Sequence, residues 1–191
     1  MYDIEKILTE SQALLTGHFL FTSGRHGGEY MQCAKVLQYP WYAEQIAETV
    51  SGKFEKGGVD IVLAPAVGGI IIGHEAARRL RAKSIFAERV NGKMTLRRGF
   101  EIPAGARVLV AEDVVTTGLS TRDVIAIVTE QNAVLAGVCC LVDRTGGAMD
   151  FGVPFAAAYS KNMPSYMPEE CPLCKAGVPI VTPGSRGVSQ S

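Results

Sequence analysis

The sequence predicts an α/β fold, with a central parallel sheet flanked by helices. Three observations predict it. Short apolar runs alternate with helical stretches: Asp60–Ala64, Ser84–Ala87, Arg107–Ala111, Ala136–Val142 and Phe155–Ala158. These runs are apolar along most of their length instead of alternating, as strands covered on both faces are. The 191 residues, 47% of them hydrophobic, suffice for one core and are few for two, so residues 1–191 read as a single domain.

The elements follow in chain order. Ile4, Ile7, Leu8, Ser11, Leu14 and Leu15 recur at helical spacing and predict a helix over 2–16. Gly17 to Tyr30 is punctuated by glycine around Ser23-Gly24-Arg25-His26-Gly27-Gly28, a composition that favours turns and short strands. Pro40 suits the first turn of a helix running to about Lys56, where Gly57-Gly58 stops it. The strand at 60–64 leads through a turn, Pro65 to Gly69, into a helix from Ile70 to Arg81. Residues 88–102 interrupt the alternation, and Asn91-Gly92 at their centre is a two-residue hairpin signal. The strand at 107–111 is followed by a helix from about Ser120 to Gln131. The crossovers between parallel strands should be right-handed. The last residues, about 183–191, read as a frayed tail.

Composition excludes some classes. Nineteen Lys and Arg balance nineteen Asp and Glu, so bulk charge favours neither a nucleic acid nor a membrane as partner. The N-terminus carries acids where a signal peptide would be apolar, and no run reaches the ~20 apolar residues needed to span a bilayer. A cytoplasmic protein is expected. Five cysteines without a secretory signal argue against a disulfide framework.

The most informative stretch is Val108-Leu-Val-Ala-Glu-Asp-Val-Val-Thr-Thr-Gly-Leu-Ser-Thr121. A buried strand ends in two carboxylates, Glu112 and Asp113, at the sheet edge where α/β proteins place ligands. Thr116, Thr117, Gly118, Ser120 and Thr121 then lead into a helix. The amides of a helix N-terminus attract anions, hydroxyls add donors, and glycine lets the backbone curl around a ligand. Such a loop can hold a phosphate without Lys or Arg. The carboxylates can accept hydrogen bonds from a diol or help organise a hydrated metal. Phosphate on one side and hydroxyls on the other describe a ribose 5-phosphate. A capped helix would need one such residue, not two acids and four hydroxyls around a glycine. There is no G-x-x-x-x-G-K-[ST], and Gly68-Gly69 begins no full G-x-G-x-x-G.

This stretch resembles the PRPP-binding signature (PRPP, 5-phosphoribosyl 1-diphosphate) of the type I phosphoribosyltransferases. Three further segments resemble the orotate-specific branch of that family: Gly17 through Arg25 with Tyr30, Pro65 to Ile70, and Val142-Asp143-Arg144. The resemblance implies the type I fold with a small N-terminal hood, about 1–38, and a protruding mobile hairpin loop. It implies transfer of phosphoribose from PRPP to orotate, giving orotidine 5′-monophosphate and pyrophosphate in UMP biosynthesis. Mg²⁺ would be held mainly through PRPP and not by protein ligands. A homodimer would share its hairpins, each closing over the neighbouring site.

Carried over residue by residue, the resemblance assigns catalysis to Lys93, Glu112 and Asp113. PRPP would be bound by Arg89, Lys93, Glu112, Asp113, Val114, Val115, Thr116, Thr117, Gly118, Leu119 and Ser120. Ala66, Val67, Gly68 and Gly69 would form the pyrophosphate loop, and Thr116 and Arg144 would meet orotate. An arginine suits a planar carboxylate, which it can pair bidentately. Residues 89–98 hold four basic residues and no acid, Arg89, Lys93, Arg97 and Arg98, as neutralising pyrophosphate requires. The sequence departs from the family pattern at Thr22 and Gly68, where many members have lysine, at Val90, where the run of basic residues breaks, and at Thr95, near an absent histidine. Lys35, Arg97 or Arg98 would then supply the charge. The alternatives are a type I enzyme for a purine or another pyrimidine, and a PRPP-sensing regulator without catalysis. Neutral charge and the lack of a spare helix-turn-helix segment speak against the regulator.

Cys171-Pro-Leu-Cys174 has the spacing of half a zinc site. No second pair is evident, since Cys139 and Cys140 should point to opposite faces of a strand. His18, His26 and His74 show no metal spacing and read as ordinary surface or hydrogen-bonded histidines.

Overall fold

The computed structural model describes residues 2–21 and 23–183. Thr22 and the tail beyond 183 therefore lie outside the described residues. The first helix, α1 (Ile4–Glu10), is capped by Asp3, whose carboxylate accepts the Lys6 amide at 3.0 Å. It ends a turn and a half earlier than its apolar spacing predicts. Gln12 takes a left-handed conformation (φ 55°), and the chain turns into a strand, β1 (Leu14–Leu20). Leu14 and Leu15 fit helical spacing by coincidence; cross-strand pairing with β2 (His26–Met31) overrides it. The ladder slips by one residue between Thr16 and Phe19, a β-bulge at Gly17-His18.

A short helix that the sequence did not announce, α2 (Cys33–Leu37), leads into α3 (Pro40–Ser51). Pro40 stands at the start of α3 as expected, but regular helix stops at Ser51 and tightens to a 3₁₀ turn through Gly57. Then come β3 (Ile61–Pro65), α4 (Gly69–Leu80), β4 (Lys83–Val90), β5 (Lys93–Leu96), β6 (Arg107–Val115), α5 (Leu119–Glu130), β7 (Val134–Asp143) and β8 (Phe155–Ser160). Two short elements follow, β9 (Ser165–Tyr166) and α6 (Pro172–Lys175).

The six-stranded sheet has the order β5-β4-β3-β6-β7-β8, parallel except for β5. Its strands are nearly continuous apolar runs because both faces are covered. Val62, Leu109 and Ala111 pack under Ala76 and Ala77 of α4 on one face, and Leu63, Val108 and Val110 pack against Val124 and Val128 of α5 on the other. The chain leaves β3 toward β4 on one side, and β6 leads to β7 on the other. The strand order therefore reverses between β3 and β6, which makes a crevice at their C-terminal ends.

A second sheet, β1-β2-β9, forms the hood. The hairpin at Asn91-Gly92 is present, with both residues at positive φ. It is continuous with the sheet: β5 pairs with β4, and Met94 is buried in the α5-side core. His74 is exposed, and His18 and His26 are hydrogen-bonded, as read from the sequence, but these two do not lie at the surface. His18 and His26, diagonal neighbours across the β1–β2 ladder, are both buried and converge with Cys171 and Cys174.

Candidate active site

At the end of β6 the chain must turn from strand to helix, and Gly118 makes that turn with φ 75°. A side chain there would also strike Met149 Sδ and Phe151, each just over 3 Å from an added Cβ. Because the residue before α5 is glycine, no side chain caps the helix. Thr117 Oγ1 reaches the Leu119 amide only at 3.4 Å. Thr116, Thr117 and Ser120 are exposed, so amides and hydroxyls face an open crevice that can accept an anion.

The Pro65–Gly69 turn stands beside this loop, across the β3–β6 switch point. Ala66 donates its amide to Ala87 O at 2.7 Å, which fixes the start of the turn, while Val67 is 82% exposed. Gly68 lies directly against Asp113: an added Cβ would come within 2.7 Å of the carboxylate carbon. The lysine that Gly68 replaces could not stand here without displacing that carboxylate. Gly68→Ala is therefore expected to raise KM for PRPP about ten-fold, equivalent to ~1.4 kcal/mol, by pushing loop and carboxylate apart. The turn is exposed, so the unfolding midpoint should stay put; an unchanged KM in steady-state kinetics would contradict this placement.

Glu112 and Asp113 play unlike parts. Asp113 Oδ1 accepts the Val114 amide at 2.8 Å and stays partly open to the crevice. Glu112 is only 5% exposed. Burial, and then the adjacent Asp113 carboxylate, pushes its pKa up to about 9. Near neutrality it is a protonated acid, able to donate as well as accept. A carboxyl whose folded-state pKa exceeds its unfolded value adds stability that is full below about 4.5 and drains away as pH rises toward about 9. Within that window the loss amounts to up to ~1.4 kcal/mol per pH unit. Glu112→Gln should flatten the decline in unfolding midpoint between about pH 5 and pH 9. Parallel wild-type and variant melting curves would show that Glu112 is ionised throughout.

Arg144 follows β7 on the same edge, its amide donating to Val115 O at 2.9 Å. Its guanidinium sits 5.2 Å from the Phe21 ring centre, and its buried Nε has no hydrogen-bond partner among the described residues. Asp143 does not neutralise it. That carboxylate accepts from the Thr145 amide and hydroxyl, the Gly147 amide and the Ser160 hydroxyl. Burial pushes the pKa of Asp143 up, but these bonds together outweigh it and hold it below the usual range. Arg144 is half-buried, and desolvation lowers its pKa, with Glu29 opposing. A desolvated cation lacking a partner on Nε suits a bound anion. Phe21 under it and Arg25 both lie in the 17–25 segment whose resemblance is to the orotate-specific branch, and Arg25 donates to Ser165 Oγ at 2.9 Å, tying the β1–β2 connection to β9.

Three of the hairpin cations are paired with acids. Arg89 pairs with Asp123 at 2.7 Å, Arg98 with Glu88 at 2.9 Å, and Lys93 with Glu130 at 3.7 Å. Glu130 ends α5, about 16 Å along the helix from the phosphate loop. Lys35 is also engaged elsewhere, 3.5 Å from Gln12. The structure thus brings together 66–69, 112–120 and Arg144, leaves Lys93 apart from them, and holds Arg89 on Asp123, one turn into α5 from Ser120. A cleft lined by Asp60, Lys83 and Gly105 lies at the opposite end of the strands and is no part of this site.

Comparison with known proteins adds to this geometry. The phosphoribosyl transferase domain family matches residues 34–151. The orotate phosphoribosyltransferase of Pelotomaculum thermopropionicum is 49% identical over 186 residues, 97% of this chain and 98% of that protein. That of Heliobacterium modesticaldum is 51% identical over 182 residues, covering 94% and 95%. Among solved structures, orotate phosphoribosyltransferase from Aeropyrum pernix superposes with a TM-score of 0.69 at 24% identity, over 82% of this chain and 93% of that one. Adenine phosphoribosyltransferase from Thermoanaerobacter pseudethanolicus gives 0.67 at 15%, over 80% and 99%. These structural matches show the fold, and the fold alone does not choose the base.

Proposed function

The chain belongs to the orotate phosphoribosyltransferase family, and from that premise we propose that it joins orotate to the ribose 5-phosphate of PRPP through the crevice between β3 and β6. The observation that carries this reading is the half-buried Arg144 guanidinium, unpartnered at Nε among the described residues, on the same edge as an uncapped helix N-terminus and an acid pair. The first matches the orotate carboxylate, the second the 5-phosphate, and the third the ribose hydroxyls. Residues 1–191 act as one phosphoribosyltransferase domain in the cytoplasm, and the hood closes the base side.

The bond between C1′ and the pyrophosphate oxygen breaks, one from C1′ to the base nitrogen forms, and the proton on that nitrogen leaves to the departing pyrophosphate or to solvent. No protein nucleophile is needed. Positive charge develops on the ribose ring as pyrophosphate departs, so the protein contributes position and electrostatics. Thr116, Thr117 and the amides from Gly118 to Ser120 fix the phosphate end. Glu112 and Asp113 fix the hydroxyls. Protonated Glu112 can donate to one hydroxyl oxygen while Asp113 accepts from its neighbour. Ala66 to Gly69 present backbone to the diphosphate beside Asp113.

The residues at this edge fit Mg²⁺ only as a guest of the substrate. Glu112 is held protonated and the Asp143 oxygens are committed, leaving Asp113, too few carboxylates for a protein cage. Mg²⁺ would therefore arrive with the substrate beside Asp113 and would supply charge neutralisation for the leaving group. A second copy of the chain supplies Lys93 and Arg89 to this site from its hairpin. Incubation with PRPP, Mg²⁺ and a panel of bases tests the reading. Pyrophosphate release with orotate, and little with uracil, adenine or hypoxanthine, is expected; release with adenine but not orotate would overturn it.

A further inference from the structure

Four side chains far apart in sequence meet at the hood. His18 comes from the bulge in β1, His26 from the start of β2, Cys171 from the N-cap of α6 and Cys174 from within it. One ligand atom from each lies within 4.8 Å of all the others. His18 Nε2 is 3.1 Å from His26 Nδ1 and 3.5 and 3.7 Å from the sulfurs of Cys171 and Cys174, and His26 Nδ1 is 3.2 Å from Cys174 Sγ. A tetrahedron with Zn–N near 2.05 Å and Zn–S near 2.3 Å has edges of about 3.3 Å between nitrogens and about 3.6 Å between nitrogen and sulfur. The observed separations cluster around those edges. Both thiols are free.

The second shell is in place for one histidine. His18 Nδ1 lies 2.7 Å from Val178 O. A carbonyl only accepts, so that nitrogen carries the proton, and Nε2 presents its lone pair to the other three groups. We propose that His18, His26, Cys171 and Cys174 form a closed, structural Cys₂His₂ zinc site that staples the C-terminal segment to the hood. Two thiolates and two imidazoles in a tetrahedral set favour Zn²⁺ over Mg²⁺ or Ca²⁺, which take oxygen ligands. With four protein ligands no position is left open for substrate, so the metal has no part in the transfer chemistry.

The segment it would hold has little else to hold it. α6 buries none of its own residues, and β9 is two residues long. What attaches the rest is the Arg25 guanidinium on Ser165 and backbone pairing: Val181 donates to His18 O at 2.8 Å, and Leu20 donates to Val181 O at 2.9 Å. Such a segment lacks the apolar burial to offset its ordering entropy, and a metal can supply the difference. Gly17 and Gly27 neighbour the ligands, each crowded by a ring, Phe19 and Phe21 respectively, so the hairpin backbone at the site is packed tightly.

The test uses the full chain, purified under reducing conditions without an affinity metal. Elemental analysis should find one equivalent of zinc per chain. Exchange with Co²⁺ should give the intense visible bands of a tetrahedral site together with thiolate-to-metal charge transfer. Cys174→Ser, at an exposed position where no cavity opens, should abolish both and lower the unfolding midpoint by roughly 10 °C. His26→Asn should do the same, which separates a loss of coordination from a loss of one thiol. Folded protein with titratable thiols that takes up neither Zn²⁺ nor Co²⁺ would overturn the proposal and leave a hydrogen-bonded cluster. So would zinc retained in full by Cys174→Ser. None of these readouts depends on the base or on PRPP.

Discussion

Arg144→Ala is expected to lower kcat/KM for orotate roughly a thousand-fold while leaving PRPP affinity nearly unchanged, since two charge-assisted hydrogen bonds contribute about 1.5–3 kcal/mol each. The split between substrates follows from position. Arg144 lies past β7, against Phe21 of the hood, whereas the phosphate loop follows β6. The variant should fold: the side chain is only half-buried, and its Nε has no partner among the described residues to orphan. Arg144→Lys keeps the charge but not the planar fork, and should recover only a small part of the loss. Steady-state kinetics with each substrate varied decides this. An unchanged KM for orotate in Arg144→Ala would remove the residue from the base site and with it the main support for orotate as substrate.

Lys93→Ala is expected to lower kcat by about a thousand-fold, the scale of a cation that meets charge only in the transition state. The unfolding midpoint should not move, because Lys93 is mostly exposed and its 3.7 Å pair with Glu130 is a weak surface contact. In the structure Lys93 points along α5, away from the phosphate loop of its own chain, which leads to a sharper test. If the hairpin serves the neighbouring subunit, mixing Lys93→Ala with Arg144→Ala under subunit exchange should restore about a quarter of wild-type activity, since half the dimers would be mixed with one intact site each. No recovery would place Lys93 in the site of its own chain. Wild-type turnover in Lys93→Ala alone would remove the hairpin from the mechanism.

The central sheet and the crevice were legible because their signals are local. Each buried strand is a short apolar run, and Glu112, Asp113 and the Thr/Gly loop lie within nine residues of one another. Phosphate loop, diphosphate turn and Arg144 come together because each follows the C-terminal end of a strand, and parallel strands put those ends on one edge. What was not legible depends on contacts distant in sequence. The 2–16 helix failed because Leu14 and Leu15 pair with Tyr30 and Met31, a choice that helical periodicity cannot register. The basic bias of 89–98 looked unopposed because most of its opposing acids, Asp123 and Glu130, sit one helix later, on α5. The histidine–cysteine cluster was missed for the same reason: 145 residues separate His26 from Cys171, and only the hood sheet brings them together.

The idea that everything else rests on is that an open turn of amides and hydroxyls after Asp113 grips a sugar phosphate. The most direct measurement is a backbone-amide NMR titration of the full-length protein with ribose 5-phosphate. Saturable shifts are expected at Thr116 to Thr121 and, through the ribose hydroxyls, at Asp113 and Gly68, and they should vanish with plain ribose at the same concentration. Shifts absent from that turn, or equal for phosphate and ribose alone, would contradict the account.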